Sequence, residues 1–146
     1  MDAEQALADL TEISSQIEAA ALTDGSGKVE ASTFADKGAA DRFASAAREL
    51  LSAADGLRGE RNEALTQLEA ETLDGSVFVV REGERVIAAT TGAEPTVGLV
   101  FYDLKSCLRA LEQSAKAPAA KKRKPAARKT SGSSAAKPKK SEDGAA

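Results

Sequence analysis

The side chains best suited to chemistry in this chain are few and dispersed. Gly25-Ser26-Gly27-Lys28 has the residue types of a phosphate-cradling loop, in which backbone N–H groups and a lysine hold a nucleotide's phosphates. A working loop needs the longer Gly-x-x-x-x-Gly-Lys-Ser/Thr run and a following helix. Here Lys28-Val29-Glu30-Ala31-Ser32-Thr33 follows and reads as a strand, so the segment is expected to be a hairpin turn. Cys107 falls on the apolar stripe of a predicted helix, where a thiol packs as a small hydrophobe. Asp41, Glu49, Glu60 and Glu63 read as a solvated helix face and loop, not as a convergent acid–base pair. Arg58 and Arg61 read as solvated loop side chains and not as arginine fingers. The chain has no His, which removes the usual neutral-pH proton shuttle and the commonest metal ligand. No enzyme activity, cofactor or metal is expected.

Composition narrows the class further. With 146 residues there is room for one domain. Hydrophobic residues make up 42% but aromatics only 3%, so the core must be built from Ala, Leu and Val. One Cys forms no internal disulfide, which fits a reducing compartment and predicts a cytoplasmic protein. No apolar run approaches the roughly 18 residues that span a bilayer. The opening Met1-Asp2-Ala3-Glu4 lacks the basic flank and apolar stretch of a secretory signal. Net charge is −3, but from Lys116 on ten Lys/Arg face two acids, giving +8 and leaving −11 on residues 1–115. The segment 116–146 holds no Leu, Ile, Val or aromatic residue, so it is expected to be a disordered basic Lys/Ala/Pro-rich tail following a domain over 1–115.

Within that domain the elements follow from periodicity. Asp2 caps a first helix whose stripe is Leu7, Leu10, Ile13 and Ile17, with Ala3, Ala6 and Ala20 on the same side. Asp24-Gly25-Ser26-Gly27 turns a hairpin between Ala19–Thr23 and Lys28–Thr33. A second helix spans about 36–57. Its stripe of Phe43, Leu50, Ala54 and Leu57 is widened by Ala40, Ala44, Ala47 and Leu51 to roughly half the circumference, against the ~100° of one-sided burial. Such a helix is expected to touch its own sheet and something else: a second copy admitted by the small residues is the economical reading, and a deep groove in the monomer is the other. Leu68 and Ala70 share one face of a third strand. Val77–Val80 and Val86–Ala89 are apolar on both faces, so helices must cover both sides of an antiparallel sheet. A last helix from Pro95 to about Ser114 keeps Val97, Val100, Phe101, Leu104, Cys107, Leu108 and Leu111 on its core face, leaving Leu99 and Tyr102 as candidate partner contacts. The expected fold is α+β, ordered α-β-β-α-β-β-β-α around five antiparallel strands.

This order resembles the roadblock/dynein light-chain family, a longin-related fold shared with bacterial Mgl-type regulators of small GTPases. The resemblance rests on the opening helix Leu7…Leu10…Ile13…Ile17, on Ala20-Ala21-Leu22-Thr23-Asp24-Gly25-Ser26-Gly27 with Ala31-Ser32, and on Gly75-Ser76-Val77-Phe78-Val79-Val80 with Val86-Ile87-Ala88-Ala89. It closes on Gly98-Leu99 leading to Tyr102-Asp103-Leu104 and covers about residues 4–113. Glu30 stands where the family often has an aliphatic residue, Glu94-Pro95-Thr96 differs from the usual approach to Gly98, and the basic tail lies outside the pattern. The resemblance implies a homodimer or a heterodimer with a paralogue, in which the third strand and second helix meet their symmetry mates. It also implies a non-catalytic scaffold that binds or regulates a small Ras-like GTPase. Such a regulator lowers a barrier by positioning its partner's loops, with no arginine finger of its own. Candidate dimer residues are Ala40, Ala44, Ala47, Leu51, Leu68 and Ala70.

The tail supports a different class of function. Lys121, Lys122, Arg123, Lys124, Arg128, Lys129, Lys137, Lys139 and Lys140 would bind nucleic acid or another polyanion by counterion release, without base readout. In that alternative the protein is architectural, and the domain dimerises two basic arms.

Overall fold

Among the described residues, three helices and five antiparallel strands occur in the expected order. The computed structural model describes residues 1–60 and 63–116. The elements are α1 (Ala3–Ile13), β1 (Ile17–Thr23), β2 (Val29–Ser32), α2 (Lys37–Leu57), β3 (Gln67–Thr72), β4 (Gly75–Glu82), β5 (Arg85–Thr91) and α3 (Val97–Lys116). The sheet order is β2-β1-β5-β4-β3, which puts the two most apolar strands inside and leaves β2 and β3 as edges. In β4 and β5 successive residues are buried, Phe78, Val79 and Val80 on one and Val86 to Ala89 on the other. Alternate side chains point to opposite faces, so both faces must be covered. Phe78, Val80, Ile87 and Ala89 pack under α1 and α3, while Val79, Val86 and Ala88 pack under α2.

Helix α1 starts where its cap predicts, with Asp2 Oδ1 accepting from the Gln5 N–H at 2.9 Å. It stops one turn earlier than the stripe suggests. Ser14 is extended and caps the helix, its N–H donating to the Leu10 carbonyl. Ile17 opens β1 and faces Thr91 across the ladder, and Ile13 is left 72% exposed. The apparent four-residue step from Ile13 to Ile17 therefore joins two different elements. Val97 likewise sits at the start of α3 and is 37% exposed instead of lining the core. Between β3 and β4 the chain needs a glycine, because a Cβ on Gly75 would lie 2.5 Å from the Thr91 carbonyl oxygen. At the far end of the sheet Arg85 Nε donates to Glu30 Oε1 at 2.9 Å, so the unexpected acid on β2 finds its cation on β5. That pairing raises the Arg85 pKa above its ordinary value.

Candidate interaction surface

Helix α2 divides into two apolar rows, one buried and one along its flank. Ala40, Ala44, Ala47 and Leu51 are all buried within the single chain, Leu51 to 1% exposure, and Ala47 and Leu51 pack on Val79, Val86 and Ala88. Ala47 and Leu51 thus seat the helix on its own sheet, and all four expected dimer contacts are buried within the single chain. The reason is size. Small side chains at this spacing let a helix approach a sheet of Val and Ala closely. The larger residues are displaced to the flank, where Phe43 and Ala54 are half-buried and Leu50 and Leu57 are exposed, Leu57 to 88%. Reading those larger residues as core missed them. The available signal was the bulk of the side chains on each row.

The flank is oriented by polar ties at both sides of α2. Arg48 Nη1 donates to Thr23 Oγ1 at 2.9 Å and to the Asp24 carbonyl, fastening one side of the helix to the end of β1. At 100° per residue, Leu50 and Leu57 lie on the opposite side, toward β4 and the edge strand β3. Phe43, Leu65, Leu68 and Val77 pack around the same cluster there. Leu68 is half-buried and Ala70 exposed on that face of β3. Phe43 of α2 and Leu68 of β3 thus border one apolar cluster, with Leu50 and Leu57 exposed on the flank of the helix.

Asp55 ties α2 to that cluster. Its Oδ2 accepts from Arg81 Nη2 at 2.8 Å and its Oδ1 from the Leu65 N–H at 2.6 Å, while Arg81 also donates to the Leu65 carbonyl. The Arg81 hydrogen bond, followed by that of the Leu65 amide, holds the Asp55 pKa below the usual carboxylate range. A depressed folded pKa gives stabilisation that is complete above the unfolded value, about pH 4, and lost as pH falls through the folded value. Asp55→Asn is therefore expected to lower Tm by a constant amount from pH 6 to 8. The gap from the native chain should shrink below about pH 4. Thermal melts across that range would read it, and a gap independent of pH would refute it.

The candidate chemistry resolves in the same terms. The Asp24 carboxylate accepts from the Ser26 N–H at 2.8 Å, the Ser26 hydroxyl at 2.7 Å and the Lys28 N–H at 3.1 Å. These bonds, led by that of the Ser26 hydroxyl, lower the Asp24 pKa. The amides that a phosphate would need are already taken, and Gly27 (φ 90°) completes a hairpin turn between β1 and β2. Cys107 lies on the core side of α3, its thiol directed at the Ala6 carbonyl, and burial pushes its pKa up to about 11. Arg58 Nη1 donates to the Glu63 carbonyl, and Arg61 lies outside the described residues. Leu99 and Tyr102 are exposed at 49% and 66% on the outer side of α3. The tail cations Lys121 to Lys140 lie outside the described residues, and with them the basis of the polyanion reading. No helix among the described residues is long and apolar enough to cross a membrane.

Comparison with known proteins bears on the same elements. A Roadblock/LC7 domain from Streptomyces avermitilis is 19% identical over 80% of this chain and 99% of its own, with a TM-score of 0.69. Myxococcus xanthus MglB is 16% identical over 78% and 84% of the two chains, with a TM-score of 0.60. The gliding protein MglB of Thermus thermophilus is 21% identical over 77% and 87%, with a TM-score of 0.56. At such identities the likeness is one of fold. No curated protein matches the chain. The sequence pattern of the Roadblock/LC7 domain matches residues 4–91, from α1 through the last strand, and the chain therefore belongs to the Roadblock/LC7 family.

Proposed function

We propose that this chain is a dimeric regulatory scaffold that holds a small Ras-like GTPase and performs no chemistry of its own. The observation that carries the proposal is the exposed row of Leu50 and Leu57 on a helix whose inner row is already filled, in a sheet whose edge strand β3 has no partner on its outer side among the described residues. Exposed large apolar side chains and an unpaired edge strand each mark a surface meant to be covered. Antiparallel pairing of β3 with its mate would continue the sheet across two copies and bring their α2 helices together. Family membership and the likeness to MglB support the GTPase as partner. The paired helices would then present a rigid platform on which a partner's loops can be held in one arrangement.

The test has two parts. Light scattering should give a dimer for the native chain and a monomer for Leu50→Asp/Leu57→Asp. Capture from native lysate by the full chain should recover a small GTPase whose hydrolysis rate or nucleotide affinity changes at saturating protein. A native chain that stays monomeric at all concentrations defeats the dimer. Cognate GTPases that show neither change defeat the regulatory reading.

A further inference from the structure

Across α2 from Leu50 and Leu57 lies a polar cleft that is not part of the proposed dimer. It holds about 520 Å³ between α2, the β1–β2 turn at Ser26-Gly27 and the adjoining ends of β4 and β5, with buried Leu51 and Val86 among its walls. Ser45, Arg48 and Ser52 line it from α2. At 100° per residue they fall within about 60° of one another, so one ridge of the helix carries a guanidinium flanked by two hydroxyls. Arg81 of β4 lines the same cleft, but Asp55 meets its charge at 2.8 Å. Arg48 has no such partner. It donates from Nη1 to two neutral oxygens, Thr23 Oγ1 and the Asp24 carbonyl, and enters none of the ion pairs among the described residues. Its Nε–Nη2 edge, a fork that matches an oxyanion, meets no protein acceptor among those residues. A Cβ on Gly27 would lie 3.4 Å from that Nε, so glycine keeps the edge clear. Glu49 is the one acid among the lining residues, and no ion pair ties it to Arg48.

We infer that this cleft binds a phosphate monoester, its oxygens on the Nε–Nη2 fork of Arg48 and the hydroxyls of Ser45 and Ser52, with Arg81 on the facing wall. Guanidinium forks take phosphate oxygens two at a time, and such charge-assisted bonds are about twice as strong as neutral ones. Both arginines are already held by protein oxygens, so little side-chain freedom is lost when the ligand arrives. A tetrahedral dianion accepts from several directions at once, which suits a guanidinium flanked by hydroxyls better than a planar carboxylate does. The cleft is larger than a phosphate group alone fills, and Leu51 and Val86 offer an apolar wall to the carbon part of an ester. The phosphate is the recognised group, whether a free small molecule or a phosphorylated side chain carries it.

The experiment titrates the full chain, isotope-labelled for NMR, with inorganic phosphate at constant ionic strength. Phosphate should give saturable shifts at Gly27, Ser45, Arg48 and Ser52, and acetate should bind more weakly. Glu49→Gln removes the acid from an exposed helix position and should tighten phosphate binding about threefold or more. Ser52→Asp, also at an exposed position, sets a carboxylate beside Arg48 and should weaken it about fivefold or more. Two further probes separate the sources. Glycerol phosphate bound more tightly than a short phosphoserine peptide identifies a free ester as the ligand, and the reverse order identifies a phosphorylated partner. Shifts that never saturate overturn the inference. So do acetate binding as tight as that of phosphate, and an affinity that neither substitution moves.

Discussion

Leu51→Ala is expected to destabilise the domain by about 2–5 kcal/mol, whereas Leu50→Ala, one residue earlier, should cost under about 1 kcal/mol. Leu51 is 1% exposed between α2 and the sheet, and deleting its branched end leaves a cavity among Val79, Val86 and Ala88, side chains that cannot collapse to fill it. Leu50 is 39% exposed and leaves no cavity. In a domain of this size the first change should lower Tm by roughly 10 °C or more. Melts should be run at concentrations low enough to keep the chain monomeric, because association adds to apparent stability. Oligomeric state should respond in the reverse order, with Leu50→Asp disrupting association in a chain that remains folded. Equal losses of Tm at the two positions would mean that the two rows of α2 have been assigned incorrectly.

Phe78→Ala should cost about 3–5 kcal/mol, the largest single loss expected in the α1–α3 layer. Phe78 is fully buried on β4 and meets Phe101 of α3 edge-on, ring centroids 5.0 Å apart at 76°. With four Phe and one Tyr in the whole chain, the core has few large side chains to take up the lost volume. Edge-to-face geometry adds roughly 0.5–1.5 kcal/mol beyond the buried area. Phe78→Leu should recover about half of the loss by refilling most of the volume without the ring contact. Urea melts of the three chains would measure it, and a Phe78→Ala loss below about 1 kcal/mol would contradict the packing described.

These two positions show how far periodicity reaches. The alternation and apolar runs of Val77–Val80 and Val86–Ala89 specified inner strands covered on both faces, because an apolar residue on either face of a strand must be buried somewhere. Asp2 marked the start of α1, since a carboxylate that accepts an orphan N–H does so locally, and its side chain caps as its position predicts; Asp36 caps α2 in the same way. The end of α1 was less legible. A four-residue step suits a helix whether or not the chain leaves the helix in between, and β-pairing of Ile17 with Thr91, 74 residues on, decided it.

The division of α2 into a buried and an exposed row was legible only in part. The excess apolar arc of α2 showed that the helix has two faces to cover, and that much is a local property of residues 40–57. Which row meets the sheet depends on how closely the helix can approach it. Ala21, Val79, Val86 and Ala88, brought together from three strands, set that distance and favour the Ala row. The order of elements, the family and the expectation of a partner were thus determined by local pattern. The choice of face was decided by tertiary structure, because burial depends on which distant residues share a layer.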